Sequence, residues 1–154
     1  MIIQSKNFNI QQIADSGQCF RMDKIGNNKY SLVAYNKYIE LAQVDRELVE
    51  ISCSNQDYDE IWKEYFDLDF DYGIIVDRLL QGSDEFLRKA VQFGDGLRIL
   101  KQEPFEVLIS FIISQNKNIP AIKRSIEKIC ERYGERKEWN GIYYYTFPTP
   151  EQLA

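Results

Sequence analysis

Two polar clusters carry most of the chemistry this sequence can offer, and both sit against apolar neighbours. One is Ser114-Gln115-Asn116-Lys117-Asn118, between two apolar periodic stretches. Its side-chain amides both donate and accept, so they can match the exposed edge of an unpaired base. A helix opening just behind them would aim free backbone N–H groups at a phosphate. Lys117, Lys123 and Arg124 add positive charge close by. The same pattern also describes an ordinary polar turn between helices. The other cluster is Ser16-Gly17-Gln18-Cys19-Phe20-Arg21. Gly17 would let a flat ligand approach the backbone closely, or would simply supply an unusual φ at a turn entering a strand.

Other chemistries are excluded by what the chain lacks. It has no histidine, which removes Ser-His-Asp and Cys-His triads, histidine bases and His-ligated metals. Its three cysteines, Cys19, Cys53 and Cys130, are far apart and form no C-x-x-C pair. That spacing points away from a zinc knuckle or disulfide framework and towards a reducing cytosol. No metal site and no cofactor are expected. No apolar run is long enough for a signal peptide or a membrane span, so no membrane partner is expected either.

Charge is segregated. Between Glu40 and Glu85 fourteen acidic residues face only three basic ones, whereas between Lys117 and Lys137 seven basic residues face three acidic ones. A net charge of −5 speaks against a general nucleic-acid coat. It leaves room for a local contact, because phosphate attraction is screened within about 8–10 Å and acts patch by patch.

The elements that must hold these clusters change character along the chain. With 154 residues, 44% hydrophobic and 28% charged, the composition is globular and fits one domain, or one domain and part of another. Tyr30–Ala34, Tyr38–Ala42 and the alternating Val49, Ile51 and Cys53 read as strands with turns at 26–28 and 35–37, an antiparallel arrangement. Helical spacing takes over at Ile61, Trp62, Tyr65 and Phe66, then at Ile74–Leu80, then at Phe86–Val91, with Ser83 or Asp84 as a cap. Pro104 opens a helix that is apolar nearly all round and should therefore be central, although a chain of this length should leave it partly uncovered around Ile109 and Ile112. Asn118 caps the next helix, which turns Ile119, Ile122, Ile126, Ile129, Cys130 and Tyr133 inward and stops at Gly134. Asn140-Gly141 marks a tight turn. Thr149-Pro150-Glu151-Gln152 has the form of a capping box, so the sequence is expected to stop partway through a domain.

Four stretches in order, Ser16–Arg21, Tyr65–Asp69, Gly96–Pro104 and Ser110–Ile119, resemble the N-terminal half of the 8-oxoguanine DNA glycosylase/AP lyases. The resemblance covers essentially the whole chain. It implies an α+β fold: residues 1–95 as a TATA-binding-protein-like antiparallel sheet with packed helices, and residues 96–154 as the first helices of a helix-hairpin-helix glycosylase domain. It implies a double-stranded DNA partner containing 8-oxoguanine, and flipping of the damaged base, which costs a few kcal/mol of unstacking. By resemblance, the Gly17 carbonyl accepts from N7–H of the oxidised base, where normal guanine offers a bare acceptor. Phe111 stands near the base pocket, Asn116 fills the vacated stack, and Lys117 and Asn118 flank it on the DNA side with Lys123 and Arg124.

The resemblance also carries two departures. Where eukaryotic members place an arginine against the orphaned cytosine, this chain has Ala121, so relaxed opposite-base selectivity is expected. The catalytic lysine and its aspartate partner are expected beyond Ala154, which makes this chain alone inactive and gives it either the remaining half of the enzyme or a second copy of itself as a partner. A cytoplasmic, nucleoid-associated bacterial setting is expected. Two other functions fit the same architecture: a non-catalytic DNA-binding or regulatory module, and an alkyl-purine DNA glycosylase.

Overall fold

A computed structural model describes residues 1–154. Five strands, β1 (Ile2–Gln4), β2 (Met22–Gly26), β3 (Lys29–Ala34), β4 (Lys37–Gln43) and β5 (Leu48–Ile51), form an antiparallel sheet in the order β1-β5-β4-β3-β2. The expected strands are present, although the last ends at Ile51 and does not reach Cys53. Two-residue periodicity puts Tyr30, Leu32 and Ala34 of β3, Ile39 and Leu41 of β4, and Val49 and Ile51 of β5 on one buried face. Cross-strand pairs Tyr30–Leu41, Leu32–Ile39 and Leu41–Ile51 fix the register, because a one-residue slip would turn this whole set to solvent.

Three aromatic side chains cover that face. They come from a helical stretch comprising α2 (Asn55–Asp57), a π-helical turn (Tyr58–Trp62) and α3 (Lys63–Tyr65). Trp62, Tyr65 and the adjacent Phe66 are fully buried, and Phe8 meets Phe66 edge-on at 5.3 Å. Helix α1 (Ile10–Asp15) closes the same core with Ile10 and Ile13 and is capped by Asn9, which accepts from the Gln12 N–H. Neither α1 nor β1 is expected from the sequence. Both are too short to display a period, and only tertiary packing stabilises them.

Helices α4 (Tyr72–Gln81) and α5 (Glu85–Phe93) follow, with Asp84 as the cap of α5. Neither buries a residue in this chain. Arg98 fixes the chain beyond them: its guanidinium donates to the carbonyls of Asn7, Asp67 and Lys6 and lies over the Tyr72 ring. Then come α6 (Pro104–Ser114) and α7 (Ile119–Tyr133).

The expectation that α6 is central needs correcting. Its buried residues are Glu106 and Ser110, while Leu108, Phe111 and Ile112 are each more than half exposed. An all-round apolar helix signals burial only where the chain supplies elements to cover every side. Helix α7 buries Ile122, Ile126 and Cys130 as expected, with Cys130 serving as packing, but Ile119 and Tyr133 are exposed. These α7 residues form a second core with Phe147, flanked by Phe20 and Phe105.

Strands β6 (Arg136–Trp139) and β7 (Ile142–Tyr145) form a hairpin with a two-residue Asn140-Gly141 loop, both residues at positive φ. Its Trp139 and Tyr144 stack on Tyr38, on the outer side of β4, at 5.1 and 5.6 Å. Gly134 caps α7 with φ at −80°, so it is not there for a left-handed turn. A Cβ at that position would lie 2.0 Å from the Thr146 carbonyl oxygen, so glycine admits the returning strand. The expected capping box is formed at α8 (Pro150–Leu153): Thr149 and Gln152 exchange bonds. No helix is long and apolar enough to cross a membrane.

Candidate functional site

Gly17 sits just past the end of α1, in a loop whose shape is set by polar side chains. The Ser16 hydroxyl donates to the Ile13 carbonyl at 2.7 Å and closes the helix. Gly17 then takes φ of +76°, a left-handed backbone that strains a residue with a Cβ. A Cβ there would meet nothing within 4 Å, so the backbone faces open space. The Gly17 carbonyl accepts no hydrogen bond within the chain.

That open space is a cleft of about 190 Å³ lined by Gly17, Gln18 and Phe20 on one side and by Gln102 and α6 on the other. Helix α6 contributes Glu106, Ser110 and Ser114, four residues apart and therefore on one face, with Val107 and Phe111 beside them. The structure thus brings Gly17 and Phe111, 94 positions apart in the sequence, to one cavity. Phe111 is 64% exposed and stands at its lip. Four larger clefts lie elsewhere, among them a polar one between residues 6–9 and 43–47 and an aromatic one between β4 and the β6–β7 hairpin. None contains any of the sequence-predicted site residues, so here chemistry and not volume marks the site.

Glu106 is 9% exposed, and burial pushes its carboxyl up to about 7, against the opposing pull of the Arg21 guanidinium and with a further upward push from Glu103. Arg21 is itself buried. Its guanidinium donates to the Tyr145 carbonyl, while its Nε has no partner. The sequence reading missed Glu106, Ser110, Gln102 and the buried role of Arg21. The signal was available for α6: Glu106, Ser110 and Ser114 form a polar stripe at four-residue spacing on an otherwise apolar helix.

The rim continues from Ser114 into the predicted turn. Asn116 adopts φ of +58° and is exposed, a backbone that asparagine tolerates better than most residues. Asn118 caps α7 by accepting from the Ala121 N–H at 3.0 Å. Lys117 reaches the Ser125 hydroxyl at 3.3 Å. Arg124 is exposed and has no ion-pair partner. Lys123 differs from it: its ammonium lies 2.7 Å from both the Met22 carbonyl and the Asp23 carboxylate, tying α7 to β2. No group of three His, Cys, Asp or Glu residues is placed to hold a metal ion.

Comparison with known proteins yields consistent relatives. The family model described as 8-oxoguanine DNA glycosylase, N-terminal domain, matches residues 1–108. The N-glycosylase/DNA lyase of Saccharomyces cerevisiae is 31% identical over 170 residues, covering 100% of this chain and 44% of the relative. The solved 8-oxoguanine glycosylase/lyase of Clostridium acetobutylicum in its apo-form superposes with a TM-score of 0.91 at 44% identity, covering 99% of this chain and 53% of that one. The same enzyme in complex with double-stranded DNA containing cytosine opposite 8-oxoG gives 0.90 at 40%, covering 99% of this chain and 55% of that one. The chain therefore spans about half the length of the relatives it matches.

Proposed function

The chain belongs to the 8-oxoguanine DNA glycosylase family, and we propose that it is the lesion-sensing portion of a base-excision enzyme that flips 8-oxoguanine from duplex DNA. The observation that carries this reading is the single cleft shared by Gly17 and Phe111, whose α6 rim runs through Ser114 into the Asn116 turn.

In this reading the unpartnered Gly17 carbonyl accepts from N7–H of the flipped base. Normal guanine would set its N7 lone pair against the same oxygen, leaving two buried acceptors unsatisfied at a cost of about 1–3 kcal/mol. Phe111 offers a flat apolar contact at the cleft mouth. Asn116, held outward by its left-handed backbone, takes the place of the extruded base and uses its amide on the orphaned partner. Lys117, Asn118 and Arg124 meet the phosphates beside it, and Lys123 contributes by holding the start of α7 in place. The groups that attack the sugar and break the glycosidic bond are assigned to the remainder of a longer protein, which also covers the exposed side of α6. Residues 1–95 and 96–154 act as the sheet domain and the opening of the glycosylase domain, and the nucleoid of a bacterial cell is the working place.

The test is a comparison of duplexes containing 8-oxoG:C, G:C and a methylated purine, binding the complete protein. A selective gain for 8-oxoG:C supports the reading. Equal affinity for all three, or preference for the methylated purine, overturns it.

A further inference from the structure

The open carbonyl of Gly17 is framed by two glutamines. Gln18 spans the neighbouring segment 98–100 with its side-chain amide: Oε1 accepts from the Leu100 N–H at 2.9 Å and Nε2 donates to the Arg98 carbonyl at 2.9 Å. The same Nε2 reaches the Ser16 hydroxyl at 3.0 Å. Gln102 returns the connection, donating from its Nε2 to the Gln18 carbonyl at 2.7 Å. Segment 98–102 is itself immobilised, because the Arg98 guanidinium is buried and bonded to three backbone carbonyls and the Ser5 hydroxyl. The residues on both sides of Gly17 are therefore fastened, Ser16 through its hydroxyl and Gln18 through its side-chain amide and its carbonyl, while the Gly17 carbonyl is left without a donor. Glycine is the residue whose backbone would wander most without such fastening. Both glutamines also line the cleft.

We infer that Gln18 and Gln102 are positioning residues that clamp the loop so that the Gly17 carbonyl stays aimed into the cleft, and that lesion discrimination depends on this clamp. The inference rests on the Gly17 reading above. A carbonyl that discriminates by repelling a bare N7 works only if it cannot rotate away from the repulsion. A rigid, pre-aimed acceptor enforces the difference, and a mobile one relaxes and forgives the wrong base.

The experiment measures the ratio of affinities of the complete protein for 8-oxoG:C and G:C duplexes, by fluorescence anisotropy at fixed salt. Gln18→Ala and Gln102→Met are expected to lower that ratio about tenfold, the size of one well-aligned hydrogen bond. Gln102→Lys, which restores a donor of similar reach towards the Gln18 carbonyl, is expected to recover most of the ratio. Gln18→Glu keeps the size of the side chain and the acceptor for Leu100 but sets a carboxylate oxygen against the Arg98 carbonyl, and is expected to lower the ratio at least as far as the alanine variant, which keeps a readout if the alanine variant folds poorly. Global destabilisation would weaken binding to both duplexes by one factor and leave the ratio alone. A wild-type protein that shows no preference overturns the Gly17 reading itself. A wild-type preference that survives unchanged in Gln18→Glu and Gln102→Met overturns the clamp.

Discussion

The guanidinium of Arg21 donates to the carbonyl of Tyr145, 124 residues further along the chain, and so one buried cation joins the first core to the second. Arg21 immediately precedes β2, and Tyr145 ends the hairpin that stacks on β4. The negative group that Arg21 compensates is Glu106, on the wall of the cleft. Replacing Arg21 with Met leaves the Tyr145 carbonyl without its donor and Glu106 without its cation. Leaving that buried carbonyl unsatisfied costs about 1–3 kcal/mol. The loss should be larger at pH 8, where Glu106 is ionised and feels the missing charge, than at pH 5, where it is neutral. Urea titration at the two pH values checks this, and an equal loss at both would exclude the charge pairing.

Glu106 by itself should make stability depend on pH in an unusual direction. Its folded value of about 7 lies above the ordinary carboxylate range, so between about pH 4.5 and pH 7 the folded state holds a proton that the unfolded state has released. The stabilising contribution is complete below about pH 4.5 and is lost as pH rises through 7. At about 1.4 kcal/mol per unit, the full swing is about 3 kcal/mol. Glu106→Gln should flatten this part of the profile and raise the melting temperature at pH 8. A variant that keeps the wild-type slope would place the titration on another group.

Gly17→Ala isolates the backbone from the packing. No atom lies within 4 Å of the added methyl, so only the positive φ is penalised, at about 1 kcal/mol. Stability should fall by that small amount. Selectivity for 8-oxoG over G should fall far more, because a shift of the peptide to negative φ re-aims the carbonyl. Parallel measurement of melting temperature and of binding to the two duplexes separates the effects, and a variant with lowered stability but intact selectivity would count against the Gly17 assignment.

How far the residues could be read without coordinates depended on whether the signal was local. Asn118 as a cap, Thr149 with Gln152 as a capping box, and Asn140-Gly141 as a hairpin loop are short-range chemistry, and each is formed. Gly134 was recognised as a stop, but the reason is non-local, the close pass of Thr146. The central place expected for α6 failed, and the uncovering expected near Ile112 is seen, because periodicity reports which faces are apolar, not whether the chain covers them. At the site, Gly17, Phe111 and Asn116 stood out through resemblance, whereas the bonds between Gln18, Leu100 and Gln102 join residues some eighty positions apart and leave no trace in local spacing.

Ala121 lies in the first turn of α7, three residues beyond its cap, on the element that follows the Asn116 turn. On the function proposed above, a methyl here offers no donors to the base opposite the lesion. Ala121→Arg supplies a bidentate donor at that place and should raise preference for cytosine opposite the lesion, by about 1–3 kcal/mol of discrimination. Excision or binding of 8-oxoG opposite each of the four bases reads it out. Strong cytosine preference in the unaltered protein would show that another group already supplies the contact.

Lys123 and Arg124 are neighbours in sequence with different work to do. The Lys123 ammonium is held between the Met22 carbonyl and Asp23, so releasing it to a phosphate would break an ion pair and expose a carboxylate to the DNA. Arg124 is exposed and has no competing anion. Each phosphate contact removed should reduce the slope of log affinity against log salt by about 0.9. Arg124→Ala should therefore lower the slope by roughly one unit and leave melting unchanged. Lys123→Ala should lower the melting temperature, since α7 loses its tie to β2, and change the slope little. If Lys123→Ala instead removes a full unit of slope at constant stability, its ammonium swings to the duplex on binding and the tie to Asp23 is the weaker of its two interactions.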